Sequence, residues 1–383
     1  MTEQTINVLI VDDSALMRNL IGRIVEAAPG FAVAGKAMNG LFALKKLETL
    51  TPDVIVLDLE MPEMNGIEFL KKRRELRIDV PVIILSSIAR RGAEVTMEAL
   101  NLGASDFVKK PSGSVSEDIH LVGEQLIELL RVYGGRRKPL AAYMPRPVAP
   151  TPSPEVHVPA PVAHAPPSAY VGQPAKPLVL PSGNLRPHSN LQILAIGIST
   201  GGPNALRQVF QDLDPNFPLP ILVVQHMPAG FTAEFARSLN RNCPLEVKEA
   251  EEGDIVKKGR ILIAPGDYHI EVEKRSLAGI VHVTQTEQTN GHRPSAGVLF
   301  KSVAKQYGAS AFAVIMTGMG KDGSAEIGEV YRAGGLTLAQ DEASSVVFGM
   351  PKVAIEMGHA EKVVALAEMA TTLNSLAKQF AKA

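Results

Sequence analysis

The chain contains a single cysteine, Cys243, and no tryptophan. One thiol excludes an intramolecular disulfide, fits a reducing compartment and reads as an inert, structural group. An excess of either charge is also missing. Lys and Arg total 39 against 40 for Asp and Glu, a formal net charge of -1. Nothing in that balance draws the whole chain to nucleic acid or to an anionic membrane. The local basic run Lys71, Lys72, Arg73, Arg74 reads as a solvated helix face. No window reaches the ~20 continuous apolar residues of a spanning helix. The opening MTEQTINVLIVDD has no basic stretch ahead of a long apolar run, so it does not read as a signal peptide. These absences lead to the expectation of a cytoplasmic protein, with no nucleic acid as partner and no membrane insertion.

What is abundant is proline, and it is concentrated. Of the 28 prolines, 14 fall between Pro139 and Pro187, among Ala, Val and Ser and only four charged residues. Proline withholds backbone donors and favours extended polyproline II, so this stretch reads as a semi-rigid spacer that builds no core. As a coil or as an extended rod it spans roughly 40 to 150 Å. A chain of 383 residues also exceeds one ordinary core. The expected division is a first domain at 1–125, a linker at 126–190 and a second domain at 191–383.

On both sides of the linker, short apolar runs alternate with stretches of helical period. Asn7–Val11, Asp53–Leu57, Val80–Leu85 and Asp106–Val108 read as strands in the first part. Ile193–Ile198, Ile221–Gln225, Ile261–Ala264, Phe312–Met316 and Leu336–Ala339 do so in the second. Helices are expected there at Asn204–Asp212, Ser295–Gln306 and Ala325–Ala333. Both parts should be α/β sheets with helices on their faces. A more antiparallel passage is expected across Leu245–Thr286, where Ile270, Val272, Ile280, Val281 and Val283 crowd between turn glycines.

In such sheets ligands gather at the carboxyl ends of strands. VLIVDD delivers Asp12 and Asp13 there, and VIVLD delivers Asp58. Three converging carboxylates are costly unless a cation compensates them, and Mg²⁺ prefers such oxygen ligands. VIILS ends in Ser86, a hydroxyl able to bind a phosphoryl oxygen, and DFVKKP brings the point charge of Lys110. Singly, each has a plainer role: Asp13 or Ser14 can cap a helix, Asp58 can start a turn, Lys110 can be solvated. As an ordered set, DD, LDLEMPEMNG, LSS and FVKKP resemble the receiver domains of two-component response regulators, which have a flavodoxin-like, doubly wound fold. The resemblance implies Asp58 as phosphoacceptor, Asp12 and Asp13 with it as the Mg²⁺ site, and Ser86 and Lys110 as phosphate contacts. Phe107 stands where that family often has a switching aromatic, although a core Phe reads the same.

In the second part, ILAIGISTGGPNAL is a strand, a glycine-rich turn and a helix start. Gly197-Ile198-Ser199-Thr200-Gly201 fits the pattern that lifts a serine hydroxyl above a sheet edge. A phosphate-cradling loop is the rival reading, but the GxGxxG spacing and a Walker lysine are both missing. Serine needs a base, and the strand ILVVQHM ends in His226, beside Ser199 if the two strands are neighbours. FAVIMTG runs into MGKDG, bringing Asp322 as a candidate orienter of the imidazole and the Met319 and Gly320 amides as candidate oxyanion donors. Asp322 can equally cap the helix after Gly323. The order Ser199, His226, Asp322 departs from that of α/β-hydrolases, in which His359 would be the base. His269, His282 and His292 have no spacing typical of metal ligands.

With IGISTGG, QHMPAGF, APGDYH, HRPS, TGMGKDG and QDEASSVVFGMP in order, this half resembles the catalytic domain of the chemotaxis protein-glutamate methylesterase family. Ser199, His226 and Asp322 match that family's triad, with Thr200 and Met319 flanking its active site. The resemblance implies a mostly parallel α/β methylesterase domain that hydrolyses glutamate methyl esters, and deamidates glutamines, on methyl-accepting chemotaxis receptors. No cofactor is expected for the esterase step. It further implies phosphorylation by the chemotaxis histidine kinase, which relieves a block that the receiver places on the hydrolase. A long tether lowers the effective concentration of one domain at the other, and a monomer with moving domains is expected. The alternatives are the same hydrolase in a signalling array outside chemotaxis, or an output module that no longer catalyses.

Overall fold

The computed structural model describes residues 5–87, 90–110, 118–135 and 185–381. Most of the proline-rich stretch therefore lies outside the described residues.

The first domain is a five-stranded parallel sheet in the order β2-β1-β3-β4-β5. Its strands are β1 (Ile6–Val11), β2 (Phe31–Ala37), β3 (Val54–Asp58), β4 (Val82–Ser86) and β5 (Asp106–Lys109). They alternate with α1 (Ala15–Ala27), α2 (Gly40–Leu47), α3 (Gly66–Glu75), α4 (Arg90–Asn101) and α5 (Asp118–Gly134). β3 and β4 are buried throughout, as helices on both faces require. β2 is the one strand of this sheet without a counterpart in the sequence reading. Its edge position leaves five central residues only half-buried, and its apolar run is short, ending at Ala34 before Gly35 and Lys36. Helix α5 continues to Gly134, past residue 125, because Val122, Leu126, Leu129, Leu130 and Tyr133 keep one stripe buried. Of the basic run on α3, Lys72 meets Glu75 at the surface, whereas Arg73 folds back onto the Val80 carbonyl.

The second domain is built on β6 (Ile193–Ile198), β7 (Ile221–Gln225), β8 (Glu246–Glu249), β9 (Ile255–Val256), β10 (Arg260–Ile263), β11 (His269–Lys274), β12 (Gly279–Thr284), β13 (Ala311–Ile315), β14 (Leu336–Gln340) and β15 (Lys362–Val364). Its helices are α6 (Gly202–Gln211), α7 (Thr232–Asn240), α8 (Ala296–Tyr307), α9 (Ile327–Arg332), α10 (Met350–Glu356) and α11 (Leu366–Phe380). Seven strands form a parallel sheet, β15-β14-β13-β6-β7-β10-β8, and β11-β12-β9 form a small antiparallel sheet beside it. The antiparallel passage is thus narrower than expected, since β8 joins the main sheet in parallel with β10 and buries Val247 there. Successive strands run outward from β6 through β7 on one side and β13 on the other. The crevice at the carboxyl end of β6 is therefore a topological switch point, where open α/β sheets bind ligands.

The two domains touch along β5, the edge strand of the first sheet. Phe107 packs on Phe231 with ring centroids 4.8 Å apart, and the Asn204 side chain donates to the carbonyls of Ala104 and Ser105 at 3.2 and 3.3 Å. Asn101 on α4 reaches Ser238 on α7 at 3.4 Å. The second domain thereby covers a sheet edge that would otherwise offer unpaired backbone groups. At the end of the linker, Arg186 and His188 both engage Glu361, at 2.5 and 3.0 Å.

Candidate active site and phosphoacceptor site

Ser199 directly follows β6, His226 follows the neighbouring strand β7, and Asp322 lies in the loop after β13 on the other side. Backbone bonds stitch the three strand ends together: Ser199 N–H donates to Thr317 O at 2.9 Å, and His226 N–H to Ile198 O at 3.1 Å. Gly201 takes φ +77° as the left-handed cap of α6, and a side chain there would also strike Val346 at 2.5 Å. Gly197 lets Ala296 and Phe300 of α8 approach the strand, with an added Cβ only 2.7 Å from Ala296. Only glycine meets both demands cheaply.

The imidazole of His226 lies between the other two residues. Its Nδ1 is 3.1 Å from Ser199 Oγ, and its Nε2 is 2.8 Å from Asp322 Oδ2. Asp322 is buried, 1% exposed. It accepts bonds from Ser295 Oγ at 2.6 Å, Asn290 Nδ2 at 3.0 Å and the Ala296 amide at 2.7 Å. Burial alone would push this carboxyl up, but the bonds from His226, Ser295 and Asn290 outweigh it and hold the group far below the usual carboxylate range. Asp322 thus does sit at a helix start, that of α8 rather than of a helix following Gly323.

His292 lies flat on His226, ring centroids 3.9 Å apart and planes at 15°. Burial pushes His292 down to about 4, helped by the neighbouring His226 and opposed by Asp322, so this ring is neutral near pH 7. His269 is buried and bonded to the Glu287 carbonyl, and His282 bridges Glu252 and Glu273. The three histidines go to separate roles. His359 faces the Ser324 carbonyl at 3.0 Å. Cys243 is half-buried, and burial pushes its thiol up.

In the first domain Asp12, Asp13 and Asp58 each bring a carboxylate oxygen within 4.8 Å of the others. Lys110 Nζ stands 2.6 Å from Asp58 Oδ2 and 3.0 Å from Asp12 Oδ2. Burial pushes the Asp58 carboxyl up, with Lys110 opposing it. Buried Asp12 Oδ2 and Asp58 Oδ2 therefore share the single positive charge of Lys110. Three converging carboxylates against one lysine leave uncompensated negative charge, a donor set that fits a hard cation such as Mg²⁺. Ser86 Oγ is turned away to Thr96 Oγ1 at 2.5 Å and the Gly92 carbonyl at 3.4 Å.

Both halves match known families. The model described as CheB methylesterase covers residues 194–373, and that of the response regulator receiver domain covers residues 8–119. A protein of Treponema denticola named protein-glutamate methylesterase/protein-glutamine glutaminase is 56% identical over 378 residues, 99% of this chain and 100% of that one. The chain belongs to the CheB methylesterase family. A Pyrococcus abyssi protein of the same name is 37% identical over 97% of this chain and 94% of its own. Among solved structures, the Thermotoga maritima CheB catalytic domain is 41% identical, covering 49% of this chain and 99% of its own with a TM-score of 0.48.

In this family member the receiver lies over Ser199 and His226. A cleft of about 560 Å³ is lined on one side by Ser199, Thr200, His226, His292, Met319 and Gly320, and on the other by Asp106, Phe107, Lys109, Gln125, Glu128 and Leu129. Ser199, Thr200, His226, Met319 and Gly320 meet in this one cleft, and Asp322 lies behind His226. Sequence reasoning did not place Asn290 and Ser295 on Asp322, His292 on His226, Thr96 behind Ser86, or Asp106 at the domain boundary. His292 and Ser295 lie within the HRPS motif, whereas Asn290 falls outside it.

Proposed function

We propose that this family member is a phosphorylation-activated protein-glutamate methylesterase and protein-glutamine glutaminase acting on methyl-accepting chemotaxis receptors. The observation that carries the reading is the Ser199–His226–Asp322 relay at the switch point, roofed by a receiver domain whose acidic cluster surrounds Asp58.

Ser199 Oγ attacks the ester carbonyl and gives its proton to His226 Nδ1. The Nε2–H bond to Asp322 fixes the tautomer that leaves Nδ1 free to accept, and it stabilises the imidazolium that results. The negative charge on the carbonyl oxygen falls to backbone amides of Thr200 and the Met319–Gly320 turn as the candidate oxyanion donors. The same proton then passes to the departing methoxide, releasing methanol, or to the departing amide nitrogen of a glutamine, releasing ammonia. Water attacks the acyl-enzyme by the same relay, and glutamate leaves.

In the receiver, Asp12, Asp13 and Asp58 would hold Mg²⁺, which supplies neutralising charge for phosphoryl transfer. Asp58 accepts the phosphoryl group from the chemotaxis histidine kinase, and Lys110 and a reoriented Ser86 contact its oxygens. Releasing Ser86 from Thr96 gives this switch two discrete arrangements. The reading includes a cytoplasmic monomer; among the described residues no helix is long and apolar enough to cross a membrane.

Mass spectrometry of methylated and glutamine-bearing receptor fragments, before and after incubation with the full chain, tests the substrate class. Loss of methyl groups and conversion of glutamine to glutamate are expected. Unchanged masses on every fragment would leave the chain with another substrate or a non-catalytic output.

A further inference from the structure

Asp106 opens β5 of the receiver, yet its Oδ2 accepts the backbone amide of Gly201 in the hydrolase at 3.1 Å. The same carboxylate takes the Phe107 amide at 2.9 Å and the Tyr133 hydroxyl at 3.3 Å. It is 7% exposed, and among the described residues no cation pairs with it. Burial is the dominant influence and pushes the carboxyl up to about 6, against the three hydrogen bonds. Gly201 caps the N-terminus of α6, two residues after Ser199. A helix N-terminus carries partial positive charge and exposed N–H groups, an environment that favours an anion. In acyl transfer the anion that needs this environment is the oxyanion formed at the nucleophile.

We propose that Asp106 is an internal anion that occupies the N-terminal end of α6 while the domains are docked, so that the receiver restrains the hydrolase electrostatically as well as by cover. The proposal rests on the function given above. Docked, Asp106 consumes the Gly201 amide and sets a full negative charge beside the place where the tetrahedral intermediate must build its own. Separated, Asp106 returns to water, and the helix end faces the cleft unopposed. A buried carboxylate without a counter-cation is expensive, and its hydrogen bonds offset only part of that expense. This keeps the docked and open arrangements close in energy, as a switch requires. The route from the phosphoacceptor is short. Lys110, in contact with Asp58, lies four residues beyond Asp106 on the same extended segment, about 13 Å at strand spacing.

The test uses the unphosphorylated full chain with Asp106→Asn, which keeps shape and an acceptor but removes the charge, and Asp106→Ala, which removes both. Methanol release from methylated receptor fragments without phosphodonor should rise several-fold for Asp106→Asn and further for Asp106→Ala. The change should fall mainly on kcat, and stimulation by phosphodonor should shrink by the same factor. Hydrogen exchange of the peptide containing Gly201 reads the latch without any substrate. The wild type should be protected until phosphodonor is added, and Asp106→Ala should exchange fast from the start. Asn204→Ala, which loosens the same contact from the hydrolase side, should also speed exchange and covers the case of an unstable Asp106 variant. Wild-type exchange and wild-type basal rate in all three variants would overturn the proposal. A latch that responds in exchange while no fragment is demethylated would keep it and sink the substrate assignment instead.

Discussion

Asp322 Oδ2 lies 2.8 Å from Nε2 of His226, so the buried carboxylate holds the far nitrogen of the ring and leaves Nδ1 to face Ser199. Replacing Asp322 with Asn removes both the negative charge and the preference for the N–H tautomer at Nε2. Esterase kcat should fall by roughly 100-fold or more, the scale of general-base catalysis. The folded structure should survive, because an amide oxygen can still accept from Ser295 or Ala296. Steady-state kinetics alongside thermal unfolding checks this, and a variant with near-normal kcat would remove Asp322 from the relay.

His292 gives a pH dependence with a definite sign. Its folded pKa, about 4, lies below the ordinary histidine value of about 6.5. The unfolded chain therefore binds the proton first. The stability tied to neutral His292 is fully present above about pH 6.5 and is lost as pH falls towards about 4. Denaturant unfolding of the wild type against His292→Gln should show the wild type losing relative stability across that window. A difference that stays flat with pH would contradict the buried, neutral ring.

Gly201 holds φ +77° with Val346 against the space a side chain would need. Gly201→Ala should lower stability by roughly 1–3 kcal/mol and should also displace Ser199, so that activity falls more than the folded fraction does. Equal losses of folding and activity would show that the turn serves stability alone.

Removing divalent cations should separate the two sites. With a chelator, phosphorylation of Asp58 by a small phosphodonor should stop, while basal methanol release by the unphosphorylated chain should not change. Basal release that disappears with the chelator, and returns with added metal, would place a metal in the esterase step.

The sequence reveals those parts of this molecule that depend on where strands end. Asp12, Asp58, Lys110, Ser199 and His226 all sit at or just past the carboxyl end of an apolar run, and parallel pairing then brings each set to one edge. β2 is hard to read because, at a half-buried edge, its apolar run is short and alanine-rich and breaks at Gly35 and Lys36. The parallel pairing of β8 depends on its neighbour β10, not on its own pattern. Thr96 behind Ser86, His292 on His226 and Asp106 on Gly201 are contacts between residues on different elements, or on different domains. Their spacing in the chain carries no period that would announce them. The buried Asp106 carboxylate reads, in DFVKKP, as one more acid before an apolar pair.

The most direct test of the account is methanol release from methylated receptor fragments by wild type, Ser199→Ala and Asp58→Asn, each with and without a small phosphodonor and Mg²⁺. The account predicts release by the wild type that the donor stimulates, release by Asp58→Asn that the donor leaves unchanged, and none by Ser199→Ala. Release by Ser199→Ala at the wild-type rate would contradict it.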